Sequence, residues 1–93
     1  MRQRYGPSEV EQAIEDAIAS LRRGPVVPMQ IADLDDAVDA YRSRAYGVAM
    51  VLARAASDPL PAKRAPADDR YGPRSIDAIR RRFFFARAQN RAE

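Results

Sequence analysis

Apolar side chains that alternate spacings of three and four residues place the strongest constraint on how this chain can fold. The pattern runs without interruption from position 31 to position 55. Its members are Ile31, Leu34, Val38, Tyr41, Ala45, Val48, Leu52 and Ala55. Because this spacing puts all eight side chains on one side of an α-helix, it predicts a single long helix over residues 29–56.

Two packing arrangements could cover a helix of this length. At a rise of about 1.5 Å per residue it would span roughly 40 Å, more than one short neighbouring helix can cover. Either two further helices of the same chain pack on it, or its apolar seam is buried against a partner or a second copy. We expect Tyr41, Val48 and Leu52 to contribute to such a partner-binding surface.

A first helix is predicted before the long one, over residues 8–23. Ser8 and Glu11 have the spacing of a capping box, and apolar residues then recur at helical spacing. Gly24 and Pro25 end the pattern after two arginines. The first two helices should therefore form an antiparallel hairpin.

A third helix is predicted over residues 74–90, with an apolar inner side and many arginines. Its inner side should consist of Ile76, Ile79, Phe83 and Ala86. Residues 57–72, which precede it, are rich in proline and should form an extended arm. The predicted fold is all-α and a single domain over residues 1–93: a long-helix hairpin, a proline-rich extended arm and a basic amphipathic third helix.

The composition excludes most catalytic chemistry, because the chain has no His, Cys or Trp. Zinc sites, cysteine or serine triads and disulfides all lack their usual residues. We expect no enzyme, no catalytic residue, no metal, no cofactor and no small-molecule substrate. The lack of cysteine, of a signal peptide and of a long apolar stretch predicts a cytoplasmic protein without membrane contact. The preference for Arg over Lys is typical of GC-rich bacteria and their phages.

A cluster of four aspartates lies near the start of the predicted long helix: Asp33, Asp35, Asp36 and Asp39. Carboxylates one helical turn apart suit Mg²⁺ or Ca²⁺, but this spacing is not that of a calcium-binding loop. A solvated helix start, or a receiver for an arginine from another segment, is the preferred interpretation.

The last helix carries the most suggestive functional pattern, an arginine triplet directly followed by a phenylalanine triplet. Phe85 should point away from the apolar inner side and therefore towards a partner or solvent. The residues expected to contact a partner there are Arg74, Arg81, Arg82, Phe84, Phe85, Arg87 and Arg91.

Two functions fit this pattern. The preferred one is a non-enzymatic protein-interaction or assembly subunit, in which these arginines pair with carboxylates of the same chain, a copy or a partner. The alternative is a small DNA- or RNA-binding regulator, in which they contact phosphates and Phe85 packs on sugar or base. The sequence does not decide whether phosphate or carboxylate is bound.

Overall fold

A computed structural model describes residues 5–23, 28–58 and 73–92 of the chain. These residues contain four helices and no strand, which confirms the predicted all-α fold. The helices are α1 (Pro7–Arg23), α2 (Pro28–Arg42), α3 (Tyr46–Ser57) and α4 (Pro73–Ala92). Residues 59–72, most of the predicted extended arm, lie outside the described residues.

The helices α1 and α2 bury their side chains in the same order, twenty residues apart along the chain. The buried apolar residues of α1 are Val10, Ile14, Ala17, Ile18 and Leu21, and those of α2 are Ile31, Leu34, Ala37, Val38 and Tyr41. In both helices these positions form one continuous stripe, as the spacing of three and four residues requires. α1 and α2 therefore present equivalent apolar sides to α3 and α4, which both pack on them.

The long helix predicted over residues 29–56 is instead two helices, α2 and α3. The chain turns at Arg44, whose φ of 63° lies in the left-handed region. The Ala45 amide donates to the Ala40 carbonyl at 2.9 Å, and the Arg44 amide donates to the Tyr41 carbonyl at 3.0 Å. This pair of hydrogen bonds is a Schellman motif, which satisfies the last carbonyls of α2 and stops the helix.

The turn also changes which side chains of the predicted seam are buried. Val48 is 55% exposed, although the uninterrupted pattern placed it beside Tyr41. The residues of α3 that reach the core are Ala49, Met50, Ala53 and Ala56. α3 thus packs through three alanines and one methionine, and the alanines allow its backbone to approach α1 and α2 closely.

The inner side of α4 is the one predicted from the sequence. Ile76, Ile79, Phe83 and Ala86 are all buried, with exposures from 0% to 5%. The ring of Phe83 meets that of Tyr41 edge-on, with centroids 5.7 Å apart, and Tyr41 in turn lies 6.1 Å from the Tyr46 ring. This aromatic contact joins α2, α3 and α4 at one end of the core.

The end of α3 is held by a side chain from α2. Gln30 is only 3% exposed, and its Nε2 donates to the carbonyls of Ala56 at 3.2 Å and Asp58 at 2.9 Å. The Ala56 carbonyl belongs to the last turn of α3, where carbonyls have no amide of the helix to accept from. A polar residue at the start of α2 therefore fixes the position of the α3 C-terminus.

Candidate protein-docking surface

Arg82 of α4 lies between two carboxylates of α2. Its Nη1 donates to Asp35 Oδ1, and its Nη2 donates to Asp39 Oδ1 at 2.6 Å. Asp35 and Asp39 are one helical turn apart, so a single guanidinium reaches both. Two members of the aspartate cluster thus receive an arginine from another segment, as the preferred interpretation expected.

Arg87 makes the equivalent contact with α1. Its Nε lies 2.8 Å from Glu11 Oε1, and its Nη1 lies 2.5 Å from Glu15 Oε1. Arg91 adds a longer contact, with Nη2 3.5 Å from Glu11 Oε1. Each of the two supporting helices therefore offers carboxylates one turn apart to one arginine of α4, on either side of its apolar seam.

Tyr41 makes hydrogen bonds to both α1 and α4 at the buried end of the contact between these helices. The Tyr41 hydroxyl donates to Glu11 Oε2 at 2.8 Å and accepts from Asn90 Nδ2 at 3.2 Å. Burial raises the pKa of Tyr41 above its ordinary value, and the neighbouring Glu11 carboxylate raises it further, while the hydrogen bond from Asn90 opposes both. This network fixes α4 to α1 and α2 at a position where Glu11 is only 8% exposed.

The structure corrects the placement of Tyr41, which we expected on a partner-binding surface. Its exposure is 1%, and its ring and hydroxyl are both occupied within the chain. Leu52 is half-buried and packs against the core, whereas Val48 is exposed. The turn at Arg44 explains the difference, because it takes the second half of the seam out of phase with the first.

The α4 arginines that we expected to contact a partner fall into two groups. Arg82, Arg87 and Arg91 bind carboxylates of the same chain, so their contacts are intramolecular. Arg81 is exposed and has no ion-pair partner among the described residues. The side chain of Arg74 lies outside the described residues. Only Arg81 remains, within the described part of α4, as a predicted contact arginine still available to a partner.

Two phenylalanines remain on the outside of α4. Phe85 is 64% exposed and lies one turn after Arg81. Phe84 is 43% exposed, and the Arg80 guanidinium stacks 5.0 Å from its ring centroid. We call Arg81 and Phe85 the α4 ridge, since they project from the side of α4 opposite to the core.

A second exposed apolar surface lies on α3. Val48 and Val51 are 55% and 66% exposed. We call these two residues the α3 outer face. A groove of about 430 Å³ lies between α3 and α1, and we call it the α1–α3 groove. It is lined by Glu9, Gln12, Ala13, Asp16, Met50, Arg54, Ser57 and Asp58.

Sequence reasoning missed three polar residues that make contacts between helices: Glu11, Gln30 and Asn90. Glu11 was assigned to a capping box with Ser8, but α1 begins at Pro7 and Glu11 points into the core contact with α4. Its position directly after Val10 puts it at the edge of the apolar stripe, which was the available signal. Gln30 and Asn90 lie on the same sides of α2 and α4 as the buried apolar residues, so helical spacing also places them there.

Within the described ranges, no helix is long and apolar enough to cross a membrane, and no three potential metal ligands gather together. Comparison of the chain with protein-family models, curated proteins and solved structures finds no match.

Proposed function

We propose that this protein is a non-enzymatic assembly subunit whose copies dock through the α3 outer face. The observation that carries the proposal is the exposure of Val48 and Val51 on a helix whose opposite side already belongs to the core. The only charged residue of α3 is Arg54. A helix that is apolar on both sides is normally covered on both.

The charge distribution within α4 supports protein docking over phosphate binding. Arg82, Arg87 and Arg91 are neutralised by carboxylates of α1 and α2, so using them for phosphate would require breaking these ion pairs. Binding to nucleic acid, the alternative proposal, would depend on Arg80, on Arg81 and on the phenylalanines beside them. Two arginines without a carboxylate partner in the described part of α4 supply little phosphate contact.

The test of the proposal is sedimentation velocity over a wide range of protein concentration, at low and moderate salt. The wild-type protein should sediment as species larger than a 10.4 kDa monomer. Val51→Asp places a charge on the α3 outer face and should give a monomer with an unchanged circular dichroism spectrum. Ala32→Asp, which adds the same charge on an exposed position of α2, is the matched control and should leave association unchanged.

A wild-type protein that stays monomeric at every concentration would overturn the proposal. Association that survives Val51→Asp would show that copies meet elsewhere. Fluorescence anisotropy with a labelled duplex and a single strand addresses the alternative, because phosphate binding should weaken steeply between about 50 and 200 mM salt. Tight, salt-dependent binding that Arg81→Ala weakens would favour nucleic acid.

A further inference from the structure

We infer that the surface seated on α3 is the α4 ridge of a second copy, so that copies join head to tail. This inference rests on the proposed function, since it names the part of the second copy that covers the α3 outer face. It follows from two exposed surfaces that differ in charge and lie on different sides of the molecule.

The receiving surface combines an apolar floor with an acidic rim. Ala13 and the largely buried Met50 line the α1–α3 groove, and Val51, the next residue along α3, is 66% exposed. The rim carries the carboxylates of Glu9, Asp16 and Asp58 against one arginine, Arg54. Arg54 is itself engaged by the Tyr5 ring, with its guanidinium carbon 5.5 Å from the ring centroid. The groove is therefore suited to a partner that is both apolar and cationic.

The α4 ridge has this chemistry. Phe85 offers an exposed aromatic ring, and Arg81 offers a guanidinium one turn away on the same side of the helix. In the joined state, the ring of Phe85 packs on Val51, because contact between two exposed apolar side chains removes both from water. Arg81 then pairs with Glu9 or Asp16 at the rim.

The α4 ridge and the α1–α3 groove lie on opposite sides of α1. The ridge of one molecule therefore cannot reach the groove of the same molecule. Glu11 and Glu15 face α4, whereas Ala13 between them lines the groove with α3. At about 100° per residue, Ala13 points roughly 200° away from both glutamates. A contact between unlike surfaces leaves one of each free at the ends, so the assembly either grows or closes into a ring.

The experiment is to mix two variants, each damaged on one surface. Arg81→Glu combined with Phe85→Ser removes the α4 ridge, and Val51→Asp removes the α3 outer face. Each variant alone should be monomeric in sedimentation velocity. Their mixture should form a 1:1 dimer that grows no further, because the intact ridge of one variant seats on the intact face of the other.

The outcomes separate the inference from the proposed function. If the ridge variant still associates by itself while Val51→Asp does not, copies meet through α3 alone, and the head-to-tail inference is overturned while the proposed function stands. If the mixture stays monomeric although wild type associates, the inference is also overturned. If wild type does not associate, the proposed function fails first. Circular dichroism of each variant shows that the monomers are folded.

Discussion

The hydroxyl of Tyr41 in α2 donates a 2.8 Å hydrogen bond to the carboxylate of Glu11 in α1, and the same oxygen accepts from Asn90 in α4. One atom thus connects three helices inside the core. The chain has little large apolar surface to bury, so a directional contact of this kind contributes to the specificity of the packing.

Tyr41→Phe should destabilise the fold by about 1–3 kcal/mol, because it keeps the ring and leaves Glu11 and Asn90 without their buried partner. Urea denaturation followed by circular dichroism measures the change. Tyr46→Phe is the matched control, since the Tyr46 hydroxyl has no hydrogen bond in the described part of the chain. An equal loss in both variants would contradict a role for the Tyr41 hydroxyl.

Stability should fall in alkaline solution as a result of the raised pKa of Tyr41. In the unfolded chain tyrosine ionises near pH 10, whereas the folded protein keeps Tyr41 protonated to a higher pH. The unfolded state therefore binds fewer protons in this interval, and the free energy of unfolding decreases as pH rises through it. Urea denaturation at several alkaline pH values should show a steeper decrease for wild type than for Tyr41→Phe. Parallel curves would contradict the assignment.

Removal of Arg82 or of Arg87, two of the α4 arginines that bind carboxylates, should have unequal effects. Arg87 has a side chain 25% exposed and pairs with Glu11, whose side chain is 11% exposed. Arg87→Met leaves that carboxylate poorly solvated and should cost about 2 kcal/mol. Arg82, 39% exposed, pairs with aspartates that are more exposed still, so Arg82→Met should cost about 0.2–1 kcal/mol. Thermal or urea unfolding that ranks them in the opposite order would show that Glu11 is better solvated than its burial implies.

Arg44→Gly should stabilise the fold by about 0.5–1 kcal/mol, because glycine adopts the left-handed conformation at this position without a steric penalty. Arg44→Val, with a branched β-carbon, should destabilise it for the same reason. Differential scanning calorimetry checks both. A fall in the midpoint for Arg44→Gly would mean that the contacts of the Arg44 side chain outweigh its backbone strain.

Periodicity alone could identify the inner sides of α1 and α4, because each is an uninterrupted amphipathic stripe. It could not find the turn between α2 and α3. A helix stop usually carries glycine at its left-handed position, but here that position is Arg44, and Gly47 comes three residues later. Since the apolar spacing continues through the turn, the sequence reads as one helix where the structure has two.

For the ion pairs too, the sequence shows the charged residues but not which of them pair. Acids in α1 and α2 and arginines in α4 are visible in the sequence, and their attraction was one of the expected arrangements. Which arginine meets which pair depends on how α4 crosses the other helices, and that is set by Phe83, Tyr41 and their neighbours. The buried role of Glu11 was missed because its spacing of three residues from Ser8 also fits a capping box.

The equivalent burial of α1 and α2 has a consequence for the direction in which α4 lies. Two antiparallel helices with the same stripe form a support with approximate twofold symmetry, which by itself would accept α4 either way round. The symmetry is broken by chemistry at the two ends: the counterparts of Glu11 and Tyr41 are Ile31 and Leu21, which cannot hydrogen-bond. Reversing α4 would bury the Asn90 amide against hydrocarbon. The difference in side chains between two helices with the same burial pattern therefore fixes the direction of α4.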